Sequence, residues 1–249
     1  MKKSMQERLN DFMKRNHLTI PRIQEMIKLY ARSEKDLARS HFSKQYGITP
    51  SIFYKARDYA IICWLVDDSI CNRLKAKATA NYRAHNPKGT ATASLAHFNE
   101  LFEQRKEFLN SIPCTTILEI ANSYAKGKSS AELAWEYGKT SSFIVGILAR
   151  GIRELLLDKK TVDEIVSFVP NYPYQEHFHE KSVIANALMD REETKKRFLL
   201  VQKDEILALR FKISNYDVYY MFDILKPELS ELKKQLEECN ERYISFQNL

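Results

Sequence analysis

Thr49, Ser51, Tyr54 and Lys55 bring three hydroxyls and one ammonium into one short stretch, with Arg57 at its margin. Hydroxyls near a helix start bond phosphate oxygens or base edges, and a lysine reaches a phosphate or a guanine. A tyrosine beside them reaches a sugar or a thymine methyl. The chemistry open to such a group is recognition of a polyanion rather than bond breaking. A related set follows later in the chain, where Thr140, Ser141 and Ser142 repeat the hydroxyls. Behind them come Val145, Gly146 and Ala149, with Arg150 and Arg153 further along, so only the first turn is polar there.

Both sets sit in a repeated segment. Tyr46-Gly47-Ile48-Thr49-Pro50-Ser51 recurs 91 residues on as Tyr137-Gly138-Lys139-Thr140-Ser141-Ser142, and 7 of 22 positions are identical between Tyr46–Asp67 and Tyr137–Asp158. Each copy reads as helix, glycine turn, polar helix start, second helix, which is the pattern of a helix-turn-helix. Such a unit buries an apolar residue and a small one before its glycine and two apolar or small ones after it. Those places hold Phe42, Ser43, Phe53 and Ala56 in the first copy, and Leu133, Ala134, Ile144 and Ile147 in the second. Ile48 suits the slot after the first glycine; Lys139 departs from that type.

Charge distinguishes the copies. The formal net charge is +7, and residues 1–100 hold 18 Lys/Arg against 9 Asp/Glu. No acidic residue falls between Ser69 and Asn99, while Arg73, Lys75, Lys77, Arg83 and Lys88 do. A cationic field of this kind suits a phosphate backbone, because neutralised phosphates release their counterions. DNA contacts are therefore expected at Thr49, Ser51, Tyr54, Lys55, Arg57, Arg73, Lys75, Lys77, Arg83 and Lys88, with Thr140, Ser141, Ser142 and Arg150 extending the footprint.

Other chemistry finds little footing. The chain has no phosphate-binding glycine loop, dinucleotide fingerprint or H-E-x-x-H pattern. His177 and His179 in Glu176–Glu180 are two apart, which on a helix points them in different directions, so no metal site is expected. Tyr219 or Tyr243 has the type of a recombinase nucleophile, but the accompanying Arg/His set is not evident. Neither a catalytic role nor a cofactor is expected. Cys63, Cys71, Cys114 and Cys239 form no C-x-x-C pair; the first three lie among apolar residues and read as buried thiols in a reducing cytoplasm. No apolar run approaches a membrane span and no signal-peptide core is present, so no membrane partner is expected.

Six Gly, seven Pro and few alternating β-branched runs predict an all-α chain. Helices are expected over 4–15, from Thr19 with Pro21 in its first turn, from Ser33 to Gln45, from Thr49 to Leu65, over 69–84, for about 15 residues from Leu95, over 131–137 and from Phe143 to Leu157. A capping box at Thr161–Glu164 opens a further one. The organisation expected is an N-terminal domain over 1–85, a linker over 86–94, a second helix-turn-helix domain over 95–170 and a C-terminal region over 174–249. Phe222, Leu225, Leu229, Leu232, Leu236, Cys239, Tyr243 and Phe246 alternate three and four apart. That is coiled-coil spacing, read as a homodimer seam, with a helix packed on its own domain as the alternative.

Phe42-Ser43-Lys44-Gln45-Tyr46-Gly47-Ile48-Thr49-Pro50-Ser51-Ile52-Phe53-Tyr54 resembles the helix-turn-helix of small phage and integrative-element regulators of low-GC Gram-positive bacteria. Ser130-Ala131-Glu132-Leu133-Ala134-Trp135-Glu136-Tyr137-Gly138 is similar to the matching stretch of transposase and sigma-factor-like units. The resemblance implies tandem tri-helical units and double-stranded DNA binding as a class, in a sequence-specific transcriptional regulator of a phage or mobile element. It names no operator, effector or pathway. The rival expectation is a helical adaptor that grips a host factor without touching DNA.

Overall fold

Side-chain caps set where the helices begin. Ser4, Thr19, Thr49 and Ser129 each accept a hydrogen bond from the backbone N–H three residues on, and Ser4 and Ser129 complete capping boxes with Glu7 and Glu132. In this computed structural model the described residues are 3–33, 43–85, 92–168, 175–218 and 226–248, with the side chains at 81–85, 92–94, 175–179, 214–218 and 226–228 outside that set. Among them every regular element is an α-helix: α1 (Met5–Asn16), α2 (Ile20–Arg32), α3 (Pro50–Ile62), α4 (Asp68–His85), α5 (Thr92–Asn110), α6 (Cys114–Ala125), α7 (Ser130–Glu136), α8 (Ser141–Arg153), α9 (Lys159–Phe168), α10 (Gln175–Val218) and α11 (Lys226–Gln247). None of these is long and apolar enough to cross a membrane.

Several sequence expectations shift. Residues 92–94 of the expected linker are helical, and 86–91 lie outside the described residues. Helix α9 starts a turn earlier than a Thr161 cap would place it, because the Thr161 N–H donates to the Asp158 carboxylate at 2.7 Å. Cys63 and Cys71 are buried as expected, whereas Cys114, the first residue of α6, is exposed.

Two compact units are present, Met1–Ile147 and Leu148–Leu249, divided within α8. In the first, Phe53 of α3 is fully buried and meets the Tyr30 ring of α2 edge-on at 5.0 Å. In the second, α10 and α11 run antiparallel as a hairpin. Phe198 stacks on Phe246 at 4.1 Å, Arg242 lies 3.6 Å from Glu205, and Ile206 and Leu209 pack with Cys239, Leu232, Leu236 and Tyr243. The seam expected to join two protomers is thus covered by the chain's own α10, and Leu229 is buried too. Phe222 and Leu225 lie outside the described residues.

The turns that join the helices share one chemistry. Gly47 and Gly138 take φ of +66° and +61°, a left-handed conformation that costs glycine nothing in sterics. The residue after each then bonds back across the helix end, Ile48 to the Ser43 carbonyl and Lys139 to the Ala134 carbonyl, both at 2.8 Å. Trp64 and Leu155 adopt the same conformation with side chains, at φ of 57° and 59°, and their followers bond back to Ala60 and Gly151 at 3.0 Å. Asp67 and Asp158 then cap the next helices through Ile70 N and Thr161 N. These paired features keep the sequence repeat's spacing.

A buried arginine closes each of these helix ends. Arg105 of α5, 3% exposed, donates from Nη1 to the Ile61 carbonyl at 2.6 Å and from Nη2 to the Val66 carbonyl at 3.2 Å. Arg191 of α10, also 3% exposed, donates to the Ile152 carbonyl at 3.1 Å and the Leu157 carbonyl at 3.0 Å. Those acceptors are one repeat apart. The carbonyls at a helix C-terminus lack intrahelical donors and carry the negative end of its dipole, so a guanidinium satisfies both demands. The 91-residue spacing therefore extends to the acceptors of a long-range ion position that no short segment reveals.

Lys139 shows what became of the departure in the second turn. It is half-buried, and its ammonium donates to the Cys63 carbonyl at 3.0 Å and to Gln6 at 2.9 Å, over the Phe108 and Phe143 rings. Burial pulls its pKa down to about 8. From there to about pH 10.4, the ordinary lysine value, the unfolded chain holds the proton that the folded chain has lost, so stability from this group rises with pH. Cys63 and Cys71, pushed up to about 11 by burial, act in the opposite sense. Comparison with Lys139→Met largely cancels them. Urea unfolding of the two chains should show the wild type gaining on the variant by up to about 1.4 kcal/mol per pH unit across that window; a pH-independent gap contradicts the assignment.

Candidate nucleic-acid interface

The first repeat leaves the start of α3 open. Thr49, Ser51 and Lys55 are exposed, and Ser51, Lys55 and Tyr59, four residues apart, share one helix face. Thr49 accepts from Ile52 N at 3.3 Å as the cap, which leaves its hydroxyl proton free to donate. Opposite this face, Ser43, Phe53 and Ala56 are buried at the places the repeat requires; Phe42 lies outside the described residues.

Arg57 does not belong to that face. It is 9% exposed, bonds Asp58 Oδ1 through Nε at 2.9 Å and Nη2 at 2.6 Å, and lies between the Tyr54 ring at 5.0 Å and the Phe98 ring at 5.2 Å. His97 Nε2 is 3.2 Å from the same guanidinium and 3.4 Å from the other Asp58 oxygen. The cluster removes a cation from the expected set. It also ties up Asp58, the carboxylate that would otherwise repel phosphate beside Lys55. Tyr54 is turned inward as well, with its hydroxyl oxygen buried.

The acid-free stretch offers fewer uncommitted cations than its composition promises. Arg73 is exposed. Lys75 donates to Asn99 at 3.1 Å and lies over the Phe102 ring. Lys77 caps the C-terminus of α2, donating to the Tyr30 and Ser33 carbonyls at 3.0 and 2.9 Å and to the Ser33 hydroxyl. The side chain of Arg83, and Lys88 entirely, lie outside the described residues.

In the second repeat the corresponding helix is core. Leu133, Ala134, Ile144 and Ile147 are buried as expected, but so are Val145 at 3% and Ala149 at 7% exposure, on the side that a reading helix leaves bare. A Cβ on Gly146 would lie 3.3 Å from Leu109 Cδ2, so the glycine admits a close neighbour there. Thr140 caps α8 by accepting from Phe143 N at 3.3 Å. Ser141 is exposed and Ser142 half-buried. Arg150 is paired with Glu154 at 3.0 Å. These groups confine any contact from this copy to its first turn.

Further cations lie on α1 and just before it. Lys3, Arg8, Lys14 and Arg15, with Asp11, line an open pocket completed by Tyr59 of α3. The spacing of seven between Arg8 and Arg15 marks a common helix face, a signal present in the sequence. Among the described residues no group of His, Cys, Asp and Glu is arranged to hold a metal ion. His177 and His179 have side chains outside that set, and Tyr219 lies outside the described residues. No protein-family model, curated protein or solved structure matches the chain.

Proposed function

We propose that the chain binds double-stranded DNA through its first repeat, as a sequence-specific regulator of the helix-turn-helix type used by phages and mobile elements. In this reading the N-terminal half of α3 enters the major groove, where Ser51 and Lys55 meet base edges and Thr49 meets a phosphate. The observation that carries the reading is the contrast between the two repeated helices. Helix α3 keeps an exposed polar face whose one acid is ion-paired, whereas α8 past its first turn buries Val145 and Ala149 and has Gly146 where α3 has Lys55. The second repeat then serves as scaffold, contributing at most the Ser141 hydroxyl.

A second reading, a helical interaction adaptor, draws on the large apolar side chains left exposed: Trp135 on α7, and Met189, Leu200, Leu207 and Phe211 along α10.

Selection of bound fragments from a random duplex pool separates the two. The DNA reading expects retention that weakens steeply with salt, followed by enrichment of a shared motif. No retention at low salt would reject it in favour of the adaptor.

A further inference from the structure

The pocket between α1 and the C-terminal half of α3 is lined by four cations and one carboxylate, a surplus of three positive charges. Asp11 is already taken, since Lys3 Nζ lies 2.6 Å from its carboxylate. Two guanidiniums are aimed by the backbone. Arg8 donates through Nε to the Lys3 carbonyl and Arg15 through Nε to the Asp11 carbonyl, each at 3.2 Å. That leaves the Nη pair of each without a protein acceptor among the described residues, which is the fork that grips phosphate oxygens. Lys14 has no ion-pair partner among the described residues. A basic last turn alone would be explained by the dipole of α1. Arg8 lies outside that turn, and the phenol of Tyr59 comes from another helix, so the dipole does not account for the grouping.

Tyr59 links the pocket to the open face of α3. It continues the stripe Ser51, Lys55, Tyr59, and its ring packs 5.1 Å from Phe12 of α1. From Arg8 to Arg15 the helix advances about 10 Å, the axial length of about three phosphates on one strand.

We propose that this pocket holds successive phosphates of a DNA duplex whose bases meet Ser51 and Lys55, with Arg8, Lys14 and Arg15 as ionic contacts and the Tyr59 hydroxyl as a neutral donor. The inference rests on the DNA-binding reading above and adds to it a backbone clamp that sets the register of α3 in the groove.

The test is fluorescence anisotropy of the full-length chain on a labelled random-sequence duplex, titrated with salt. Each lost ionic contact lowers the slope of log affinity against log salt by about 0.9. The variant R8A/K14A/R15A should therefore lose about 2.7 from the wild-type slope and bind every duplex more weakly by a similar factor. A charge-matched control, K159A/K160A/K196A, changes exposed lysines elsewhere and should keep the wild-type slope. Tyr59→Phe, which retains the ring against Phe12, should weaken binding several-fold at unchanged slope. Circular dichroism checks that each variant keeps its helices. If the triple variant keeps the wild-type slope, or if the control loses as much, the clamp is wrong while DNA binding stands. If the wild type does not bind duplex at all, both fall.

Discussion

Arg105→Met is expected to lower the stability of the N-terminal unit by about 3–5 kcal/mol, the range for removing one partner of a buried ionic arrangement. The loss has identifiable parts. The Val66 and Ile61 carbonyls lose the guanidinium as donor, with Ile61 keeping only the long bond from Trp64 N at 3.3 Å, and a buried acceptor left unmet costs about 1–3 kcal/mol. The guanidinium carbon also lies 3.5 Å from the centre of the Trp64 ring, and that cation–π contact disappears. Asp68 contributes little, because its side chain is 55% exposed. Trp64 in turn donates from Nε1 to the Arg105 carbonyl at 3.0 Å, so the left-handed turn and the helix that clamps it hold each other. Arg105→Lys should recover only part of the loss, since one ammonium cannot span both carbonyls in the planar geometry of the fork. Urea unfolding followed by tryptophan fluorescence, with calorimetry to separate the two units, reads the effect. Arg191→Met should act on the C-terminal unit in the same way. A loss under about 1 kcal/mol in both would mean that water replaces the guanidiniums and that the duplicated position is incidental.

Ser51→Ala combined with Lys55→Ala should reduce affinity for a selected duplex by at least about 30-fold, as expected from two base contacts at about 1–3 kcal/mol each. Preference among sequences should flatten at the same time. Both side chains are exposed, and neither caps a helix nor fills the core, so folding stability should change by no more than about 0.5 kcal/mol. Binding and stability are thereby separable, which would not hold for a variant at Arg57, whose guanidinium is packed between two rings beside Asp58. A comparison pair at the polar first turn of the second repeat, Ser141→Ala with Ser142→Ala, should leave affinity within a few-fold of wild type. Competition anisotropy with the selected duplex and a scrambled one measures both pairs. An equal loss in the two pairs would put α8 on the DNA and contradict its role as scaffold.

The parts of the fold that depend on neighbours in sequence were legible in sequence. Thr19 and Thr49 cap the helices expected to begin there, because a cap is settled within three residues. The glycine turns and their buried flanks followed from the repeat for the same reason. Long-range partners of the cations were not legible. Lys77 reaches Ser33 across 44 residues, and Arg57 meets His97 across 40, so cations of this segment proved tied down by groups that no local window contains. Heptad spacing announced that the apolar side of α11 needs a cover. It could not say whose, and α10 of the same chain supplies it. The basic face of α1 was visible as Arg8 and Arg15 seven apart, yet its relation to Tyr59 needed the fold.

Mapping of backbone amide shifts on adding the selected duplex tests the central claim most directly, because it reports which helix meets the DNA rather than whether the chain is charged. The account predicts perturbation over Thr49–Tyr59 and along the Arg8–Arg15 side of α1, with the amides of α8 beyond its first turn unmoved. Shifts concentrated in α8, or in α10 and α11, with Thr49–Lys55 silent, would contradict it.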